Sequence, residues 1–306
     1  MPPVSFTCPR CRYAGVRQAD VRFCPRCGLA DVTAEEDPQP IELKLGKQTI
    51  IVRHRLALGD ISNLYRCQIE GNREQGILKI ARTHLSNQYL LREAQMLKRL
   101  HEGDREERFG AFLPRSMGTL PYEQQGDEPA RTAGVLSYHP GISGPDELYT
   151  LEEVRDAYPN GIDPRDMAWI WRRVLSILGF VHQTGIVHGS VTPDHVLIEP
   201  KDHKLVLVGW CGAVPLGAAQ ALMPQRWRGW SNWDDGAAPV TDLASAARSM
   251  MYLLNVKPEP AVQRHLERAT ETSSGAWKLL DDFDRAIEAL WGPRQFRTFV
   301  MPARRI

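Results

Sequence analysis

The chain has 306 residues, of which 42% are hydrophobic and 25% charged, and its formal net charge at pH 7 is +1. That length accommodates one large domain plus a small module, and so balanced a charge excludes a whole-protein field that would attract nucleic acid or an anionic membrane. No run reaches the roughly 20 apolar residues that crossing a bilayer requires, and the start MPPVSFTCPRC lacks the charged-then-apolar order of a signal peptide, so a cytoplasmic protein is expected.

The first element is a pair of C-P-R-C turns, Cys8 with Cys11 and Cys24 with Cys27, separated by twelve residues. In a reducing compartment this spacing favours a metal over disulfides. Zinc takes four thiolates in a tetrahedron, two from each turn, and Gly28 suits the tight turn behind the second pair. The intervening RYAGVRQADVRF alternates as a short hairpin would. One structural zinc ion is therefore expected, supplying folding energy that a module this small cannot obtain from a core. Redox C-x-x-C motifs are the alternative. Five arginines between Arg10 and Arg26, with Phe6, Tyr13 and Phe23 among them, would suit nucleic acid, a protein partner or plain solvation.

The acidic, proline-punctuated T-A-E-E-D-P-Q-P (33–40) follows as a linker. Next come short apolar runs bounded by Gly or Asn, LGKQTIIVRHRLAL, NLYRCQIEG and GILKIAR, which predict strands. NQYLLREAQMLKRLHEG is predicted helical, its apolar face drawn from Leu90, Leu91, Ala94, Leu97 and Leu100. Strands are expected again near Phe112–Leu120 and Thr132–Tyr138, and helices over 164–184, 241–255 and 277–291. Strands first and helices later predict an α+β domain in two parts.

The order of several motifs resembles the protein kinase superfamily, in particular a degenerate kinase of the bacterial Ser/Thr type, from about residue 42 to residue 292. L-A-L-G-D-I-S-N-L-Y (56–65) stands where the phosphate-covering glycine loop belongs. G-I-L-K (76–79) is similar to the strand with the ATP-pairing lysine, and R-E-A-Q-M-L-K-R-L (92–100) to the helix with its glutamate partner. G-V-L-S-Y (134–138) resembles the hinge, H-G-S-V-T-P-D-H-V-L-I (188–198) the catalytic loop and L-V-L-V-G-W-C (205–211) the metal-binding triplet. T-D-L-A-S-A-A (241–247) resembles the start of the central helix, with Asp242 where an aspartate steadies the catalytic-loop backbone. The resemblance implies a bilobal fold: a zinc ribbon over 1–32, a linker over 33–41, a β-rich N-lobe over 42–139 and a helical C-lobe over 140–306.

Kinase chemistry consists of positioning ATP, neutralising the transferring phosphoryl group with Mg²⁺ and orienting the hydroxyl with a carboxylate. The resemblance puts Ser190 at the base position, and serine accepts no proton near pH 7 unaided. The lysine two residues on is Thr192, the metal-binding asparagine is His195, and the triplet aspartate is Gly209. Magnesium takes hard oxygen ligands, imidazole suits softer metals, and glycine offers no ligand. Asp194 and Asp202 are the carboxylates left to substitute. The loop glycines fall on Ala57, Gly59 and Ser62, which weakens nucleotide binding without abolishing it. Lys79 and Glu93 survive, either as a vestigial nucleotide clamp with Gly59 or as an architectural inter-lobe ion pair.

The expected protein is thus a catalytically inactive pseudokinase that regulates or scaffolds through protein partners, with zinc bound, Mg²⁺ not retained and ATP doubtful. An atypical ATP-dependent phosphotransferase and a ribbon-based nucleic-acid binder are the alternatives. Trp227, Trp230 and Trp233 would form a partner surface or pack the C-lobe. His188, His195 and Cys211 would meet as a second metal site, as a Cys–His pair, or without function. The basic, aromatic R-Q-F-R-T-F-V-M-P-A-R-R-I would pack back on the lobe or dock elsewhere.

Overall fold

The computed structural model describes residues 4–7, 14–17, 42–70, 75–123, 129–138, 147–220, 222, 227, 229–230, 236–254, 257–271 and 274–302. Near the N-terminus, β1 (Val4–Thr7) pairs antiparallel with β2 (Ala14–Arg17). The hairpin expected inside residues 12–23 falls mostly outside the described residues; β2 pairs with β1, and Cys8 and Cys11 lie between the two strands in sequence. All four C-P-R-C cysteines lie outside the described residues.

The chain divides into two compact units, one of residues 1–95 and 116–137, the other of 96–115 and 138–306. The first holds β3 (Glu42–Leu45), β4 (Gln48–Leu58), β5 (Ser62–Ile69), β6 (Gln75–Ala81), β7 (Arg115–Tyr122) and β8 (Arg131–Ser137), in the order β3-β4-β5-β6-β8-β7. Period-two alternation sends Ile50, Val52, Cys67, Ile69, Leu78, Ile80, Ala133 and Val135 to one face, where they form a single core. Gly118, at φ +134°, lets the Leu45 side chain approach β7: a Cβ there would lie 3.2 Å from it.

Helix α1 (Asn87–Gly103) matches its predicted span. Its buried stripe is corrected, however. Leu90, Glu93, Leu97 and Leu100 are buried, spaced three or four apart, while Leu91 lies off that line and is half exposed. A glutamate interrupts the apolar stripe because a lysine neutralises it there.

The second unit is helical: α2 (Leu151–Ala157), α3 (Pro164–Gln183), α4 (Pro239–Leu254), α5 (Pro260–Ala269) and α6 (Ala276–Trp291). Helix α3 starts at an Asp163 cap with Pro164 in its first turn, as helix-start chemistry predicts. It packs on α4 and α6, and Gly179 gives Trp277 room, since a Cβ there would fall 2.5 Å from the indole. Helices α2 and α5 were not anticipated. The signal for α2 is its capping box, in which Thr150 and Glu153 cap each other reciprocally. Short strands β9 (Tyr149–Thr150), β11 (Val196–Glu199) and β12 (Lys204–Leu207) form one small sheet, and β10 (Ile186–Val187) pairs with β13 (Val214–Pro215) in another. No helix among the described residues is long and apolar enough to cross a membrane.

Candidate functional site

In the first unit, Leu78 and Ile80 of β6 point into the sheet core, so the alternating Lys79 leaves by the opposite face. There its Nζ donates to Glu93 Oε1 at 2.8 Å and lies 2.7 Å from Oε2. Both residues are buried, at 6% and 3% exposure. The pair ties a strand to a helix within one unit, which corrects the inter-lobe placement expected of it.

The three-residue connection from β4 to β5 begins at Gly59, whose N–H donates to Ser62 O at 3.0 Å. A Cβ on Gly59 would meet that same carbonyl at 2.8 Å, so the closure of the turn itself requires glycine. Ala57 and Ser62 are both strand residues, at the two sides of the connection.

In the second unit, Asp242 anchors the loop after β10. It accepts from the backbone N–H groups of His188 (2.8 Å) and Gly189 (2.7 Å) and from His182 Nε2 (3.0 Å), all while fully buried. His182 was missing from the sequence reading because its partner is sixty residues away and no local pattern marks it. His188 donates from Nε2 to Val208 O at 2.9 Å and accepts at Nδ1 from Ser190 N–H at 3.1 Å. Both ring nitrogens are committed, and burial pushes the imidazole down to about 4, with Asp242 opposing. It is a neutral structural group.

His195 holds the centre of the loop between β10 and β11. Its Nδ1 lies 2.9 Å from Ser190 O, 3.0 Å from Ser190 Oγ and 3.2 Å from Thr192 Oγ1. A carbonyl oxygen only accepts, so Nδ1 carries the proton. That nitrogen therefore cannot act as a base for the Ser190 hydroxyl. The ring lies across Gly209, where a Cβ would come within 2.5 Å of Cγ and Cδ2 and 2.7 Å of Cε1. Gly209 also sits at φ +86°, ψ 33°, the left-handed region that disfavours any side chain. His195 and Gly209 are thus one packing unit: the imidazole occupies the space any side chain at 209 would need.

The carboxylates considered as replacements are engaged elsewhere. Asp194 Oδ1 accepts from Thr192 Oγ1 at 2.6 Å and from Trp227 Nε1 at 2.9 Å. Asp202, in the exposed β11–β12 turn, pairs with Lys204 at 3.0 Å. Trp210 fills the aromatic place of the triplet, buried, with its Nε1 on Leu207 O and its edge against His188. Cys211 is buried, and the described residues contain no group of three or more His, Cys, Asp or Glu placed to share a metal.

Gly189 sits at φ +78°. A Cβ there would overlap the Gln220 amide and lie 3.0 Å from Gly212 O. Gln220 Nε2 donates to Leu222 O at 3.1 Å and reaches Gly189 O at 3.4 Å. Trp227 is buried, packed on Trp230 and Tyr252; Trp233 lies outside the described residues. The segment after α6 packs back on the second unit, settling one of the two options for it.

This combination, an antiparallel sheet with a buried Lys–Glu pair followed by a helical unit with an aspartate-anchored loop, is the protein-kinase fold. Vaccinia related kinase 3 aligns with TM-score 0.62 at 14% identity, covering 84% of this chain and 93% of that one. The BubR1 kinase domain aligns with TM-score 0.59 at 13% identity, covering 87% and 88%. No family model and no curated protein matches the sequence.

Proposed function

We propose that this chain is a catalytically inactive kinase-fold protein that regulates or scaffolds by binding protein partners. The observation that carries the proposal is the His195 ring packed over Gly209. Transfer of a phosphoryl group needs Mg²⁺ held by oxygen ligands, and both inherited ligand positions are here spent on packing. The Asp242 anchor, the Lys79–Glu93 pair and the buried aromatic of the triplet all support retention of architecture without chemistry. In the same proposal Cys8, Cys11, Cys24 and Cys27 hold one zinc ion, a reading supported by the β1–β2 pairing that brackets the first two.

The intact Lys79–Glu93 pair favours a second reading, an atypical ATP-dependent phosphotransferase. A thermal-shift titration with ATP, with and without Mg²⁺, separates the two. The scaffold reading predicts no Mg²⁺-dependent rise in melting temperature. A rise that needs the metal and vanishes in Lys79→Ala would establish the phosphotransferase.

A further inference from the structure

Helix α6 ends at Gly292, whose φ of +79° turns the chain out of the helix. Residues 293–302 then run without helix or strand. Phe296, Arg297 and Phe299 make the main contacts with the start of α3 and its surroundings, and Arg294 pairs with Asp284 of α6 at 2.5 Å. Phe296 stacks on His203 (centroids 4.5 Å apart), which itself stacks on Trp169 (4.2 Å, 3° between planes). Arg297 donates through Nε to Asp166 Oδ1 at 3.0 Å and through Nη2 to Asp163 Oδ2 at 3.2 Å. Phe299 is buried against Tyr158, whose hydroxyl donates to Val300 O.

The receiving face is built on the start of helix α3. Asp163, Asp166 and Trp169 recur every three residues at the start of α3, flanked by Tyr158 and by His203 at the β11–β12 turn. The strap is the opposite: irregular, with Phe296 69% and Val300 63% exposed although both are large and apolar. The Arg297–Asp163 pair is exposed on both sides, at 40% and 45%, and so holds the strap weakly, while Asp166 is 13% exposed. A segment fixed mainly by a few side chains on an ordered helix belongs to the low-stability end of a fold.

We propose that the face formed by Tyr158, Asp163, Asp166, Trp169 and His203 is a docking site for a partner segment of aromatic–Arg–x–aromatic chemistry, which the chain's own residues 296–299 occupy in cis. The bound strap itself specifies the chemistry: a flat ring on the Trp169–His203 column, a guanidinium on two carboxylates, and a second ring against Tyr158. Occupation in cis makes the site a gated one, since a partner competes only for the fraction of molecules with the strap released. The proposal names a partner surface within the scaffold reading and rests on that reading only in requiring a partner. The assay below reads strap exchange, so its failure leaves the metal-site argument untouched.

The probe is a labelled peptide of residues 292–302, GPRQFRTFVMP, titrated by fluorescence anisotropy against the full chain and a full-chain strap variant, Phe296→Ala with Arg297→Glu and Phe299→Ala. About tenfold tighter binding to the variant is expected, because the cis competitor is gone. That binding should be lost when Asp166→Asn is added or when the peptide itself carries glutamate in place of Arg297. Equal binding to both proteins, or none to either, overturns the proposal. So does a concentration-dependent dimer of the full chain, which would make a second copy the occupant. Should the triple variant fail to fold, hydrogen exchange on the unaltered chain decides. Residues 294–302 should exchange well before α3 and α6, and protection equal to those helices refutes a releasable strap.

Discussion

Replacing Gly209 with aspartate would restore the metal ligand on paper, yet the structure predicts that it damages the protein unless His195 is changed with it. The new Cβ would lie 2.5 Å from two imidazole carbons, and φ of +86° disfavours any L side chain. The left-handed backbone costs about 1–2 kcal/mol and overpacking a further 1–3 or so. His195→Asn alone removes the ring and the Nδ1–H bond to Ser190 O, at roughly 1–3 kcal/mol. In the double variant the overpacking part disappears while the backbone part remains. The two changes should therefore combine less than additively, by about 1–3 kcal/mol. At roughly 2–4 °C per kcal/mol for domains of this size, that coupling is several degrees in the melting temperature. Melting curves of the parent, both single variants and the double variant measure it directly. Additivity within about 0.5 kcal/mol would refute the claim that imidazole and glycine form one packing unit.

Lys79→Ala should destabilise the first unit by about 3–5 kcal/mol, because it leaves Glu93 buried without its cation. Lys79→Met with Glu93→Leu should recover most of that loss in urea titrations, and no recovery would refute the architectural role. Burial pushes both His188 and His265 down to about 4. A folded value below the ordinary 6.5 means that the unfolded chain takes up the proton first. Stability is then fully present above about pH 6.5 and is lost as the pH falls towards about 4. Urea midpoints should decline across that window, with a shallower slope in His265→Phe; flat midpoints would contradict the burial account. Elemental analysis should find one zinc per chain, lost in Cys24→Ser, and none in the parent would remove the ribbon.

Much of the fold was legible because it rests on local periodicity. Helix α1 and the strand carrying Lys79 follow from three-to-four and two-residue spacing, and Asp163-Pro164 marks the start of α3. The order of motifs then placed Asp242 beside the loop that it anchors. Less was legible where geometry depends on distant residues. Glu93 carries no mark in its own helix pattern, and only the motif order pairs it with Lys79. Leu91 looks like core until the helix is docked. His182 carries no local signal, since its partner lies sixty positions away, and Gln220 reaches back to Gly189 as well as to nearby Leu222. Glycine at 209 is legible in the sequence as a position with no side chain to offer a ligand. Its dependence on His195 became visible only when the ring was seen lying across it.

The most direct measurement is phosphoryl transfer itself: purified full-length protein incubated with labelled ATP and either Mg²⁺ or Mn²⁺, alone and with generic protein substrates. The account predicts incorporation no greater than that of a Lys79→Ala control. Sustained incorporation that falls to background in Lys79→Ala or on altering His195 would contradict it.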